Sequence, residues 1–230
     1  MTKIAVIIPA FNEARSIGNV VAAVPKSVAQ VIVADNASTD ATAKIAREQG
    51  AVVVHEKKKG YGYACLQGMA FLEDDPPEIV VFLDGDYSDY PEDLETLVDP
   101  ILKGAVVFSL GARDKKLRER GALTPQQVFG NGLACFLMRW LYQSRFTDLG
   151  PFRAIGWETL QSLEMQDKTY GWTVEMQLKI LRRKLPYIEI PVRYRKRIGV
   201  SKVSGTVKGT LMAGYKIITW IGKFYFSKWK

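Results

Sequence analysis

The fold is decided by the stretch Val80-Val81-Phe82-Leu83-Asp84-Gly85-Asp86-Tyr87-Ser88-Asp89. An apolar run that fits a buried parallel strand ends abruptly in acidic residues. Open α/β sheets bind their ligands at the carboxyl ends of such strands. Asp84 and Asp86 flank one glycine, so both carboxylates can turn toward one point. Two oxygen ligands at that spacing suit Mg²⁺ or Mn²⁺ carrying a diphosphate, although Asp and Gly are also common in ordinary turns.

Strand-like and helix-like segments alternate ahead of this motif. The predicted strands lie at 4–8, 31–34, 51–54 and 79–83, and helical apolar spacing fills the segments between them. This alternation predicts an α/β fold with a mostly parallel, doubly wound sheet flanked by helices. Three strand ends carry polar side chains, at Asn12-Glu13, Asp35-Asn36 and Asp84 with Asp86. These polar side chains are therefore expected to line one edge of the sheet and to form a ligand-binding site there.

The second half of the chain predicts further elements. A fifth strand is expected at 105–110, ending in Gly111-Ala112-Arg113, and 147–153 is too rich in Gly and Pro to be helical. Helices are expected at 172–181 and after Thr124, where Pro125 and Gln127 complete a capping box. An edge strand is expected at 188–194, because it contains Pro191. The helix after Thr124 is predicted to be long and amphipathic, with an apolar stripe at Phe129, Leu133, Phe136, Leu137, Trp140 and Leu141.

Positive charge is concentrated near the C-terminus. The formal net charge is +8. From Arg182 onward the sequence contains many basic residues and only one acidic residue, Glu189. Such asymmetry suggests an anionic partner. The aromatic segment 206–226 is interrupted by lysines, so we predict one domain at 1–204 and a basic helix within 205–230. That helix either lies at the level of lipid headgroups or packs on the domain with its lysines in water.

The cysteines, the single histidine and the N-terminal segment limit the possible functions and locations. Cys65 and Cys135 have no second Cys and no His close to them in sequence, so neither a zinc site nor a disulfide framework is indicated. His55 is interpreted as structural. The first apolar run is short and ends in Pro9, which predicts no signal peptide. We therefore expect a cytoplasmic protein, with the inner face of the cell membrane as a further site of action.

Several motifs together carry a family resemblance. Residues 6–13, 33–42 and 83–86 resemble the opening half of family 2 glycosyltransferases, which are inverting enzymes of the Rossmann-like GT-A fold. Residues 147–154, 170–177, 191–194 and 197–202 are similar to the dolichyl- or polyprenyl-phosphate sugar synthase branch. The resemblance implies transfer of a sugar from a UDP- or GDP-sugar to an acceptor, with polyprenyl or dolichyl phosphate as the expected acceptor.

The resemblance also implies site residues. Nucleotide-sugar contacts are expected at Pro9, Ala10, Asn12, Glu13, Asp35, Lys59, Gly60, Gly62, Asp84, Gly85 and Arg113. The metal, Mg²⁺ or Mn²⁺, is expected at Asp84, Asp86 and Ser88. Catalytic roles fall to Glu175, Asp148 and Arg153, and acceptor phosphate contacts to Arg197 and Lys202. Two competing interpretations remain. The lysines at 57–59 are a solvated charge run in one, and Glu175 and Asp148 form structural salt bridges in the other.

The acceptor decides the chemistry. A lipid phosphate is already anionic and needs cations to dock rather than a strong base, whereas a hydroxyl needs a carboxylate to take its proton. A hydroxyl acceptor on a glycan or lipid, and a non-catalytic sugar-nucleotide binder, both stay open. A nucleotidyltransferase would need glycine and basic residues after its first strand, where this chain has 9–13 without either. Binding of nucleic acid is not expected, because acidic strand ends would repel a phosphate backbone.

Overall fold

The structure is a computed structural model that describes residues 2–199 and 207–226. Within this part the chain forms seven strands and eight α-helices. The strands are β1 (Ile4–Ala10), β2 (Gln30–Asp35), β3 (Val52–His55), β4 (Ile79–Phe82), β5 (Phe108–Arg118), β6 (Arg153–Gly156) and β7 (Tyr187–Tyr194). The helices are α1 (Ile17–Ala23), α2 (Thr42–Glu48), α3 (Tyr61–Phe71), α4 (Leu94–Leu102), α5 (Pro125–Tyr142), α6 (Trp157–Ser162), α7 (Trp172–Arg182) and α8 (Val207–Phe226), with a 3₁₀ turn at Pro91–Asp93.

All seven strands belong to one sheet in the order β3-β2-β1-β4-β6-β5-β7. Every neighbouring pair is parallel except the two pairs that involve β6, which runs antiparallel to β4 and to β5. The predicted mostly parallel α/β sheet is therefore confirmed. Because β2, β1 and β4 are parallel neighbours, their carboxyl ends lie side by side at one edge.

Helices cover both faces of the sheet, and β1 shows how the sequence divides between them. Ile4, Val6 and Ile8 point into the core beneath α1, α2 and α4, whereas Ala5 and Ile7 point into the core beneath α3, α5, α6, α7 and α8. Side chains alternate across a strand, so a continuous apolar run fills two cores at once.

The observed strands correct three expectations. The first strand does not stop before Pro9 but runs through it to Ala10, with Pro9 opposite Ala34 in the parallel register. The fifth strand extends to Arg118 instead of ending at 110, since it pairs with β7 along most of its length. The four-residue strand β6, inserted antiparallel between β4 and β5, was not predicted.

Helix α5 begins where the sequence predicts, but most of its expected apolar stripe faces away from the core. Thr124 accepts a hydrogen bond from the Gln127 N–H, and the Gln127 side chain accepts one from the Thr124 N–H. The fully buried residues of α5 are small or flexible, Ala134, Cys135 and Met138. Of the stripe expected from the apolar spacing, Leu137 and Leu141 pack against the core, whereas Phe129, Leu133, Phe136 and Trp140 face solvent.

Helix α8 lies against the domain through one side. Trp220, Ile221 and Phe224 are buried, and the helix contacts α5 and α7. The Tyr142 hydroxyl of α5 donates to the Ile221 carbonyl over 2.6 Å. In the described residues no helix is long and apolar enough to cross a membrane.

Candidate active site

The site lies where β1, β2 and β4 end. Each strand is followed by a non-glycine residue in the left-handed region, Asn12 (φ 54°), Ala37 (φ 59°) and Tyr87 (φ 62°). This conformation turns the chain sharply, at a cost that folded proteins accept mainly at functional loops. The three turns bring the polar side chains of the neighbouring strands to one edge of the sheet.

The loops after β1 and β2 are tied together by side-chain hydrogen bonds. The Asn12 N–H donates to Ser38 Oγ over 2.9 Å, and Asn12 Oδ1 accepts from the Thr39 N–H over 2.8 Å. The Glu13 N–H donates to Thr42 Oγ1 over 2.8 Å. Asn12 therefore has a structural task in addition to its predicted nucleotide contact, and Ser38, Thr39 and Thr42 hold the loop in place.

Asp35 ends β2 as predicted and is almost fully buried. Its Oδ2 lies 3.0 Å from His55 Nδ1, while its Oδ1 is buried and has no hydrogen-bond partner within the described residues. The next residue, Asn36, joins β2 to the following loop. Its Oδ1 accepts from the Gly60 N–H and its Nδ2 donates to the Lys58 carbonyl, each over 2.7 Å.

Gly60 and Gly62 begin α3, and the structure gives both a neighbour that the sequence did not indicate. A β-carbon on Gly60 would overlap the Lys168 carbonyl oxygen, and one on Gly62 would overlap the Asp167 carbonyl oxygen. Gly60 also has φ of 154°, which side chains rarely adopt. The observed close approach is thus to the backbone at 167–168. Lys59 lies beside these glycines with its Nζ 4.8 Å from the centre of the Phe11 ring.

The acidic motif after β4 contains three carboxylates rather than the two that the metal prediction named. Asp86 and Asp89 are buried, and Asp84 is partly buried. Ser88 fixes Asp86, since its N–H and its hydroxyl donate to Asp86 Oδ1 over 2.9 and 2.5 Å. Asp89 Oδ2 accepts from the Asp84 N–H over 3.3 Å. Gly85 packs beneath this turn, where a β-carbon would be in ordinary contact with Ala10 and its neighbours.

Two oxygens of this motif remain unsatisfied. Asp84 Oδ1 and Asp89 Oδ1 are both buried without a hydrogen-bond partner in the described part of the chain. Burial, and then the charge of Asp86, raises the pKa of Asp84 to about 7. Burial and the charges of Asp84 and Asp86 raise the pKa of Asp89 well above its ordinary value. Asp89 belongs to the motif, but the sequence did not predict it as a site residue. Its burial beside two other acids is the signal that identifies it.

A segment after β7 crosses the acidic motif. The Arg195 N–H donates to the Ser88 carbonyl and the Ile198 N–H to the Asp86 carbonyl, each over 2.9 Å. The Arg195 guanidinium lies 3.5 Å from the Tyr87 ring centre and 3.8 Å from that of Tyr90. Tight cation–π stacking of this kind fixes the segment in place.

Arg197 follows in this segment and forms an ion pair with Asp86 Oδ2. Burial would lower the pKa of Arg197, but Asp86 and Asp84 raise it. A residue predicted to bind acceptor phosphate thus contacts a predicted metal ligand. Lys202, the second residue predicted for acceptor phosphate, lies outside the described residues.

Arg113 and Asp148 form a buried two-pronged ion pair. Arg113 Nε donates to Asp148 Oδ2 over 2.8 Å, and Nη2 donates to Oδ1 over 2.6 Å. Burial would raise the pKa of the Asp148 carboxyl, but Arg113 lowers it. Arg113 is also close enough to the acidic motif to lower the pKa of Asp84. Asp148 therefore fixes the position of the Arg113 guanidinium.

Glu175 and Arg153 lie inside the protein. Glu175 Oε1 and Oε2 accept from the N–H groups of Gln166 and Asp167 over 2.8 and 2.7 Å, and Lys179 Nζ lies 2.8 Å from Oε1. Arg153 is fully buried and donates to the Thr173 and Gly150 carbonyls. Burial lowers the pKa of Arg153 to about 10. In this conformation neither side chain faces solvent, and the competing structural interpretation of Glu175 fits its contacts.

The carboxylates after β4 are the candidate ligands for a divalent cation. Among the described residues no group of three or more His, Cys, Asp or Glu side chains is arranged to enclose a metal ion by itself. Mg²⁺ is commonly held by one or two carboxylates together with water and substrate phosphates. The unsatisfied oxygen of Asp84 next to Asp86 fits that mode of binding.

Comparison with known proteins gives the family. The model of glycosyl transferase family 2 matches residues 5–170. The chain belongs to glycosyltransferase family 2. The family 2 relatives include an uncharacterised glycosyltransferase of Mycobacterium tuberculosis, which is 32% identical over 215 residues covering 91% of this chain and 94% of the relative.

Two relatives have more informative names. The undecaprenyl-phosphate mannosyltransferase of Micrococcus luteus is 27% identical, and the match covers 90% of each chain. The dolichyl-phosphate hexose transferase of Haloferax volcanii is 32% identical, with 87% of this chain and 86% of the relative covered.

Solved structures confirm the GT-A fold. The glucosyl-3-phosphoglycerate synthase of Mycobacterium tuberculosis, in complex with Mn²⁺, UDP and phosphoglyceric acid, superposes with a TM-score of 0.80. The superposition covers 100% of this chain and 80% of the synthase at 22% identity. At 22% identity, the structural similarity shows that the fold is shared but does not show which substrate is used.

Proposed function

We propose that this glycosyltransferase moves a sugar, with inversion, from a UDP- or GDP-sugar to a polyprenyl or dolichyl phosphate, using a divalent metal. Pro9, Ala10, Asn12, Glu13, Asp35 and Lys59 contact the nucleotide in this proposal. Arg113 and Arg197 supply positive charge to the phosphates, and Asp84 and Asp86 hold the metal.

One observation carries the proposal. The acidic motif leaves two buried carboxylate oxygens unsatisfied while a basic side chain, Arg197, is paired with the third acid. Leaving a buried acceptor unpaired is costly, so natural proteins retain such groups mainly where a ligand completes them. A divalent cation held by the carboxylates of this motif would do so here.

A metal bound at Asp84 and Asp86 would neutralise negative charge on the departing nucleoside diphosphate. Ser88 would keep Asp86 oriented, as its two hydrogen bonds to Oδ1 leave Oδ2 to face a cation. Arg113, held at a fixed angle by Asp148, would add a second positive charge without being free to swing away.

The engagement of the acids favours a phosphate acceptor over a hydroxyl acceptor. Glu175 and Asp148, the two candidates for a proton acceptor, already use their carboxylates in hydrogen bonds and ion pairs. A phosphate oxygen is anionic at neutral pH and attacks without losing a proton first. The names of the two polyprenyl-phosphate relatives support the same acceptor class.

Calorimetry tests the donor half of the proposal. UDP, GDP and ADP would each be titrated into the protein with Mn²⁺ and again with EDTA, and we expect one diphosphate to bind only with metal. Asp86→Ala should weaken that binding by at least about a hundredfold. Asp99→Ala removes an exposed acid that pairs with Lys103 on α4, and should have no effect. Equal binding with Mn²⁺ and EDTA would contradict the metal assignment.

The acceptor half is tested by a matched pair of lipids. A polyprenyl phosphate and the corresponding polyprenol differ only in the phosphate, so transfer from the donor identified by calorimetry should occur to the first and not to the second. Transfer to the polyprenol alone would favour a hydroxyl acceptor. Tight donor binding without transfer to any acceptor would favour a non-catalytic binder.

A further inference from the structure

We infer that the outward sides of α5 and α8 form one docking surface for an anionic lipid bilayer. The apolar face, as it is called below, consists of Phe129, Leu133, Phe136 and Trp140 on α5 and Tyr215, Ile218, Tyr225 and Phe226 on α8. The inference extends the proposed function, because such a surface would present the enzyme to a membrane-embedded acceptor.

The exposure of these side chains is systematic. Positions 129, 133, 136 and 140 repeat at helical spacing and form a stripe opposite the packed residues Ala134, Cys135 and Met138. Phe129, Trp140 and Phe226 are 73, 74 and 83% exposed. Single exposed apolar residues are ordinary, but a contiguous apolar stripe marks an interaction surface.

Helices α5 and α8 pack against each other. The Tyr142 ring near the end of α5 lies 6.0 Å from the Tyr225 ring near the end of α8, in an edge-to-face arrangement. Tyr142 also donates to the Ile221 carbonyl. The two helices that carry the apolar face are therefore in direct contact.

Charge identifies the occupant as an anionic bilayer. Neither 125–142 nor 207–226 contains an Asp or Glu, and both contain basic residues. Arg139 and Lys223 are exposed on these helices. A second copy of the chain would bring the same positive side against itself in a two-fold dimer, whereas anionic lipids attract it. Trp and Tyr side chains such as Trp140 and Tyr215 also suit the headgroup level of a bilayer.

The face is also well placed relative to the candidate site. On its inner side α5 binds the loop that carries Asp148. Asn131 Nδ2 donates to the Thr147 carbonyl over 3.1 Å, and Asn131 Oδ1 accepts from the Leu149 N–H over 2.8 Å. A helix is roughly 10 Å across. A bilayer on the apolar face would thus lie about one helix diameter from the loop that orients Arg113.

Vesicle sedimentation tests the inference. The wild-type protein should bind vesicles of mixed phosphatidylcholine and phosphatidylglycerol, more weakly in high salt and more weakly to phosphatidylcholine alone. The double variant Phe136→Gln with Trp140→Gln should lose about tenfold or more in vesicle affinity. A matched double variant, Phe71→Gln with Leu102→Gln, changes exposed apolar residues on α3 and α4 and should bind like the wild type.

Three results would overturn the inference. The first is unchanged vesicle binding by the double variant, and the second is no vesicle binding by the wild type. The third is a wild-type dimer in sedimentation equilibrium that the double variant converts to a monomer, which would assign the face to a second copy.

Calorimetry with nucleotide and Mn²⁺ on the same samples separates this inference from the proposed function. Absence of vesicle binding by the wild-type protein, together with intact nucleotide binding, contradicts only the docking surface. Intact vesicle binding without nucleotide binding contradicts only the donor site.

Discussion

The acids after β4 and the acids of residues 148–175 have opposite surroundings. Asp84 and Asp89 each keep a buried oxygen without a hydrogen-bond partner among the described residues, and burial raises the pKa of both. Asp148 and Glu175 are also buried, but Arg113, Lys179 and backbone N–H groups engage their oxygens.

This difference distinguishes a carboxylate that binds a ligand from one that stabilises the fold. Both groups consist of buried carboxylates at the same end of the domain, so burial alone does not distinguish them. What differs is whether the protein itself completes the hydrogen bonds. Asp148 and Glu175, which the protein completes, hold the fold together, whereas Asp84 and Asp89 keep an oxygen that an external cation can complete.

The largest effect expected from this comparison concerns Glu175. Glu175→Gln removes the buried ion pair between Glu175 and Lys179, so the free energy of unfolding should fall by about 3 to 5 kcal/mol. Denaturant unfolding measures this loss. Glu158→Gln, an exposed position on α6, should change stability by less than about 0.5 kcal/mol. A stable Glu175→Gln protein with turnover lost would break the comparison and restore Glu175 as a proton acceptor.

A smaller effect is expected at Arg197, which already occupies Asp86 as a cation. Removing it in Arg197→Gln should make Mn²⁺ bind roughly three- to tenfold more tightly when no nucleotide is present, because the metal no longer displaces an ion pair. Electron paramagnetic resonance of free Mn²⁺ measures this affinity. Arg193→Gln, which breaks an ion pair with Asp93, serves as the control. Weaker Mn²⁺ binding by Arg197→Gln would show that the two cations do not compete.

The smallest effect is a pH dependence of stability in EDTA. The pKa of Asp84 is about 7 in the folded protein against an ordinary 3.8, so folding favours its protonated form. That contribution is fully present below about pH 4 and is lost as pH rises through about 7. The melting temperature in EDTA should therefore fall by a few degrees over this range.

Asp84→Asn should flatten this fall, and added Mn²⁺ should reverse it by binding the ionised carboxylate. Asp99→Asn, on an exposed face of α4, should leave the slope unchanged. An equal slope in Asp84→Asn would assign the effect to other groups.

Local patterns in the sequence predicted much of the fold. Apolar runs ending in polar residues located β1, β2 and β4, and the capping box at Thr124 located the start of α5. These features depend on neighbours within a few residues, which the sequence displays directly. The short strand β6 was missed because its pairing partners, β4 and β5, are remote in sequence.

The same limit applies to the site. Spacing predicted that α5 is amphipathic but not which side faces solvent, since Ala134 and Cys135 pack as well as larger residues do. Nothing near Glu175 in the sequence indicates that the N–H groups at 166–167 complete its carboxylate. The role of Asp89 likewise depends on the burial of a turn that only the folded chain reveals.

The left-handed turn at Ala37 has a consequence for protein engineering. Alanine gains nothing from this conformation, while glycine adopts it freely and asparagine tolerates it. Ala37→Gly or Ala37→Asn should therefore relieve about 1 kcal/mol of backbone strain. Stabilised versions of the enzyme can thus be sought at a position that leaves every predicted substrate contact in place.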